Sequence, residues 1–192
     1  MKINYELELI LKSAFQEAIH RKHEYIAPEH VLYTSLFFNS GAYIIENCGG
    51  DVEQMKKELE NYFDTKLPHF DDGSIIEPEE TIAFQNSMQR AYLHVESAHK
   101  AEIDLGDIYV SIFDEQDSFA RFVFEKQGIS RLDILEFISH NADVFEDNRE
   151  KKEVFTQDTE KPKVQKALEL FTVNLTEKAK RGEIDPLIGR DE

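Results

Sequence analysis

Ile26-Ala-Pro-Glu-His-Val-Leu-Tyr-Thr-Ser-Leu-Phe-Phe38 is the stretch that decides the fold. Pro28 stands where a helix begins. Its missing N–H costs nothing in a first turn, and its fixed φ suits a helix start. Glu29 beside it favours the positive end of the helix dipole. Val31, Leu32, Ser35 and Leu36 fall on one face, which predicts a helix buried on that side. An echo follows 77 residues later, in Ile103-Asp-Leu-Gly-Asp-Ile-Tyr-Val-Ser-Ile-Phe113. There Ile26 maps to Ile103, Val31 to Ile108, Leu32 to Tyr109 and Thr34 to Ser111.

The echo extends in both directions. Upstream, Leu7, Leu11, Ala14 and Ala18 match Phe84, Met88, Ala91 and Val95, both sets at helical period. Downstream, after a shift of two residues, Gly49 matches Gly128 and Asp51 matches Ser130. Each glycine can end one helix and each Asp or Ser can cap the next. Gln54, three residues after Asp51, completes a capping-box pattern. Met55 and Leu59 match Ile134 and Ile138. The chain therefore carries a unit of about four helices twice, over residues 4–64 and 81–140.

Taken in order, Asn4 caps a first helix running to about Lys22, followed by the polar turn from His20 to Tyr25. The second helix starts at Pro28. A short third covers Ala42 to Cys48, and a fourth runs from Asp51 to about Phe63 with Val52, Met55, Leu59 and Phe63 inward. Pro68, Asp71-Asp72-Gly73 and Pro78 mark the connection between the copies. Thr81 caps the fifth helix, whose inward face is Phe84, Met88, Ala91, Tyr92 and Val95. Three shorter helices follow to about Ser139. The expected fold is all-α, with two four-helix repeats about a pseudo-twofold axis in a domain spanning 1–140. Residues 141–165 are mostly charged and aperiodic, which predicts a linker. Residues 166–192 begin amphipathic and end Gly- and Pro-punctuated, like the front of a further domain.

Composition excludes several functions. With 22 basic and 39 acidic side chains the net charge is −17. Such a surface repels phosphate backbones, so no nucleic-acid partner is expected, whereas a basic partner fits. No stretch approaches the roughly 18 apolar residues of a membrane span, and the start lacks a secretory pattern. The default expectation is a soluble cytoplasmic chain. Cys48 stands alone, so no internal disulfide forms, and it reads as a small apolar residue near a helix end. His20 and His23 are three apart and His94 and His99 five apart, without metal-motif context, so no metal is expected. His30 reads as a structural side chain satisfied by hydrogen bonding. No Gly-x-x-x-x-Gly-Lys-Ser/Thr occurs, so nothing in this sequence can cradle ATP phosphates.

The segment Leu175-Thr-Glu-Lys-Ala-Lys-Arg-Gly-Glu-Ile-Asp-Pro-Leu-Ile-Gly-Arg190 resembles the start of the first AAA+ module of Hsp100/Clp ATPases. The doubled unit, with Ala27-Pro28-Glu29-His30-Val31-Leu32, resembles the Clp N-terminal domain of ClpA-type unfoldases. His23-Glu24, Phe84-Gln85, Gln89-Arg90-Ala91, Glu115-Gln116 and Ser130-Arg131-Leu132-Asp133 add to the likeness.

The resemblance implies a docking domain for a ClpS-type adaptor and protein substrates. The parent chain would be an ATP- and Mg-dependent unfoldase that feeds the ClpP peptidase. This piece itself would be catalytically inert, without a cofactor and monomeric. Direct substrate binding without an adaptor is the alternative. By the same resemblance His23, Glu24, Glu29 and Thr81 lie at the adaptor surface. Acids at a turn and a helix start would be exposed and able to receive Lys or Arg donors. Ala27 stands where the family often has a hydroxyl, which forgoes a cap of about 1 kcal/mol. The position matching Glu29 in the second copy is Gly106, so no symmetric pair of anionic pockets is expected.

Overall fold

The computed structural model describes residues 2–70 and 77–141. The Asp71-Asp72-Gly73 turn, the linker beyond residue 141 and the 166–192 segment lie outside the described residues. Eight helices and four two-residue strands occur among the described residues. The first copy holds β1 (Lys2–Ile3), α1 (Tyr5–His20), β2 (Tyr25–Ile26), α2 (Pro28–Ser35), α3 (Asn39–Asn47) and α4 (Val52–Lys66). The second holds β3 (Glu79–Glu80), α5 (Ile82–Ser97), β4 (Glu102–Ile103), α6 (Leu105–Ile112), α7 (Phe119–Lys126) and α8 (Arg131–His140).

The caps follow the sequence. Asn4 accepts from Glu6 N at 2.8 Å, Asp51 from Gln54 N at 3.0 Å, Thr81 from Phe84 N at 3.1 Å and Ser130 from Asp133 N at 3.3 Å. Gln54 departs from expectation. Its side chain donates to Glu58 along the helix, and Asp51 N donates instead to Gln127 Oε1, in the other copy. The capping box does close in the matching place, where Asp133 accepts from Ser130 N at 2.7 Å.

Helix ends repeat as faithfully. Lys22 and His99, 77 residues apart, both take the left-handed conformation at φ 57° and 55°. His23 N then donates to Ala18 O, and Lys100 N to Val95 O, which closes the last turn of α1 and of α5. Gly49 and Gly128 do the same for α3 and α7 at φ 84° and 77°.

The strands link the copies. β1 pairs in parallel with β4 (Lys2 with Glu102, Ile3 with Ile103), and β2 with β3 (Tyr25 with Glu79, Ile26 with Glu80). Shifting either ladder by 77 residues generates the other with its strands exchanged, the register that a twofold axis requires. The flanking bonds obey it too: Asn4 N donates to Ile103 O at 2.9 Å and Thr81 N to Ile26 O at 3.0 Å. Two-residue strands carry no period, so sequence patterning cannot announce them.

The core lies between the copies. α1 packs on α2, α5 on α6, and α2 also meets α5, α6 and α7. Every residue of α2 and of α6 is buried, not one face alone as the spacing predicts. This makes them the central pair. Ser35 Oγ lies 2.6 Å from the fully buried Tyr109 hydroxyl, joining α2 to α6. Burial and then Glu6 push the Tyr109 phenol up, against the Ser35 bond, so it stays protonated. Gly41 allows this approach, because a Cβ there would stand 2.1 Å from Ser35 O and 3.0 Å from the Tyr109 hydroxyl. Tyr92, expected inward on α5, is exposed, while Phe84, Ala91 and Val95 are buried.

Candidate functional site

The turn between α1 and α2 is built on two histidines. The His23 and His30 rings are buried, with His23 Nδ1 2.8 Å from His30 Nε2. His30 also stacks on Phe63 at 4.7 Å. Ala27 N donates to His30 Nδ1 at 3.1 Å, so His30 supplies the reciprocal half of a capping box, while the half that an N-cap side chain would make is missing at the Ala27 methyl. His30 is structural, as its place in the helix predicts. Burial, and then Arg21, lower the His23 pKa to about 4. Burial, and then His23, lower that of His30 to about 3. Both rings are therefore neutral at pH 7.

The second copy fills the same two positions with different chemistry. Lys100, matching His23, donates from Nζ to both oxygens of Asp107 at 2.9 and 2.8 Å. Asp107, matching His30, is buried and accepts from Asp104 N at 3.0 Å. One geometry is thus held by a neutral ring pair in one copy and by an ion pair in the other.

The four residues singled out from sequence separate into two groups. Glu24 and Thr81 come together on the β2–β3 ladder. Glu24 O accepts from Glu79 N at 2.9 Å, and Glu24 N donates to Pro68 O at 3.1 Å. Thr81 Oγ1 donates to Ile26 O at 3.1 Å while capping α5. Their neighbours Tyr25, Glu79, Glu80 and Ile82 are exposed, Ile82 to 76%. Glu77 precedes them and is exposed as well. This edge is acidic with apolar points. The sequence reading missed Tyr25, Glu79, Glu80 and Ile82, because the paired strand positions, Tyr25 with Glu79 and Ile26 with Glu80, lie far apart in the chain. The available signal was the pair of exposed apolar residues outside helical period. On the matching β1–β4 edge, Lys2 and Ile3 replace Glu79 and Glu80.

Glu29 and His23 are inside instead. The helix-start position predicts an exposed Glu29, but it is 4% accessible. Its Oε1 accepts from Ser118 Oγ at 2.8 Å and from Ala120 N at 3.0 Å. The carboxylate thus caps α7 in the other copy, where a helix N-terminus favours negative charge. His23, also 4% accessible, backs the ladder without lying on its surface. Gly106, the counterpart of Glu29, packs against Ile138, whose side chain would have to shift for a Cβ standing 2.5 Å from its Cδ1.

Among the described residues no group of three or more His, Cys, Asp or Glu could hold a metal ion, and no helix is long and apolar enough to cross a membrane. Cys48 is half-buried at the end of α3. Burial, and then Asp133, push its thiol up to about 11, so it is not a thiolate at neutral pH.

Residues 2–127 match the family described as the Clp repeat (R) N-terminal domain. A ClpA homolog protein from Fuscovulum blasticum is 33% identical over 196 residues, covering 96% of this chain and 24% of the relative. The chain thus spans about a quarter of that relative's length. The N-domain of ClpV from Vibrio cholerae is 23% identical with a TM-score of 0.60, covering 72% of this chain and 84% of that one. A ClpV N-domain in complex with a VipB peptide has a TM-score of 0.55 at 22% identity, covering 69% and 82%. With its doubled helical unit and its match over residues 2–127, the chain belongs to the Clp repeat N-terminal domain family.

Proposed function

We propose that this domain docks a ClpS-type adaptor on the β2–β3 edge and belongs to a ClpA-type unfoldase subunit. In that reading, an ATP- and Mg-dependent motor further along the parent chain delivers substrates to the ClpP peptidase. The observation that carries the docking surface is the bond from Glu79 N to Glu24 O. It sets Glu24, Glu79, Glu80, Thr81 and Ile82 along one edge. Exposed carboxylates beside apolar side chains suit a partner whose Lys or Arg residues flank a small apolar contact. Within this reading Glu24 and Thr81 touch the adaptor. His23 positions the edge from beneath, and Glu29 holds α2, which β2 leads into, against the start of α7.

Titration of the chain with a ClpS-type adaptor, followed by calorimetry, tests the proposal. Binding with a dissociation constant in the micromolar range or tighter is expected. No heat at about 50 micromolar adaptor (weaker than roughly −6 kcal/mol) would defeat it. Direct capture of protein substrates is the second reading. Its support is the shared fold with the ClpV N-domain that holds a VipB peptide. Binding of unfolded segments in the absence of any adaptor, unaffected by charge reversal at Glu24 and Glu79, would favour it.

A further inference from the structure

We propose that the buried His23–His30 pair is an acid-sensitive latch: taking up one proton breaks it and frees the β2–β3 edge, while the matching β1–β4 edge stays closed. The proposal is independent of which partner that edge receives.

The hydrogen-bond chain fixes the tautomers. Ala27 N–H donates to His30 Nδ1, so that nitrogen carries no proton. The neutral ring therefore holds its hydrogen on Nε2, which donates to His23 Nδ1. His23 in turn carries its hydrogen on Nε2. Three protons on these four nitrogens cannot be arranged without conflict. A proton on His23 Nδ1 faces the His30 Nε2–H across 2.8 Å. Passing it through, so that His30 Nδ1 is protonated, faces the Ala27 N–H across 3.1 Å. Every singly protonated state sets two donors against each other, so uptake of a proton requires one of these bonds to open.

The surroundings do not offset the added charge. Just after α1, the Arg21 guanidinium lies 5.1 Å from the Phe63 ring and disfavours a second cation. Glu17 of α1 and Asp64 of α4 favour one, but both are hydrogen-bonded to Arg21 at 2.6 and 3.2 Å. From α2, the Tyr33 hydroxyl donates to Glu60 of α4. His69, from the connection after α4, pairs with the His23 backbone and also disfavours a positive charge on the His23 ring.

The location gives the latch its consequence. His23 and Ala27 bracket β2, whose flanking carbonyls, on Glu24 and Ile26, receive Glu79 N and Thr81 N. Opening either histidine bond releases one end of that strand. In the second copy Lys100 and Asp104 bracket β4 in the same way, and both donate to the Asp107 carboxylate. Burial, and then Asp104, hold the Asp107 pKa above its ordinary value. A group of that kind loses no stability as pH falls, so acid does not open this side.

Amide hydrogen exchange of the chain at pH 7 and pH 5, corrected for intrinsic rates, tests the proposal. If opening releases a histidine to its ordinary pKa of about 6.5, protection at Glu79 and Thr81 falls roughly thirtyfold by pH 5 per histidine released. Protection at Asn4, on the matching edge, stays unchanged. The double variant His23→Lys with His30→Asp installs the second copy's pair and should abolish the difference. Ring 15N shifts of the unaltered chain supply a readout that needs no variant. Both rings should show the Nε2–H tautomer and no titration above about pH 5. Equal loss at both edges, no loss at Glu79 and Thr81, or either ring titrating near 6.5 would overturn the latch.

Discussion

Replacing Glu29 by alanine removes the carboxylate that joins α2 to the start of α7. Two donors lose a charged acceptor, Ser118 Oγ at 2.8 Å and Ala120 N at 3.0 Å. A hydrogen bond to a charged group is worth about 1.5–3 kcal/mol. Ala120 N keeps a longer contact to Ser118 Oγ at 3.2 Å, so its loss is partial. Removing the buried charge also returns part of its desolvation cost. The net expectation is a loss of about 3 kcal/mol, a fall in Tm of roughly 10 °C for a domain of this size. Glu29→Gln keeps an uncharged acceptor and should cost about half as much. Urea unfolding followed by circular dichroism measures both. The Tyr62 phenol gives a local check: burial, and then Glu29, hold its pKa up, so the alanine variant should lower it. A loss below about 0.5 kcal/mol for Glu29→Ala would refute the assignment of Glu29 as a cross-copy cap.

Further predictions concern the surface, the core and the two buried pairs. Glu24→Lys with Glu79→Lys should weaken adaptor binding tenfold or more, about 1.4 kcal/mol, without changing the circular dichroism spectrum. Gly41→Ala forces a methyl against Ser35 O and should destabilise by about 2 kcal/mol in urea unfolding, with the Ser35–Tyr109 contact disturbed. Lys100→Met leaves Asp107 buried without its cation and should cost about 3 kcal/mol at pH 7, read as a lower Tm. Global stability should fall as pH drops from 6.5 towards 4. His23 and His30 have lowered folded pKa values, so the unfolded chain binds more protons in that window. Between pH 6.5 and 5 the loss approaches about 2 kcal/mol per histidine, checked by urea midpoints at several pH values.

The helices and their caps were legible because each rests on local signals. Asn4, Asp51, Thr81 and Ser130 all cap where the sequence places them, and the 77-residue offset carries through to the strand register. What escaped depends on distance in the chain. Glu29 reads as an exposed first-turn acid because its partners, Ser118 and Ala120, lie about 90 residues on. Gln54 reads as a box partner because the competing donor contact from Asp51 to Gln127 crosses between copies. The burial of α2 and α6 on all sides follows from packing two copies together, which no single helical wheel can express. Tyr92 shares its helical row with buried neighbours and still faces out, at the margin of the α5 face.

The docking surface itself is reached most directly by amide chemical-shift mapping of the chain during titration with a ClpS-type adaptor. The account predicts shifts concentrated at Glu24 to Ile26 and Glu79 to Ile82, with the β1–β4 edge silent. Saturating adaptor that leaves those amides unmoved, or that moves Lys2, Ile3 and Glu102 in their place, would contradict it.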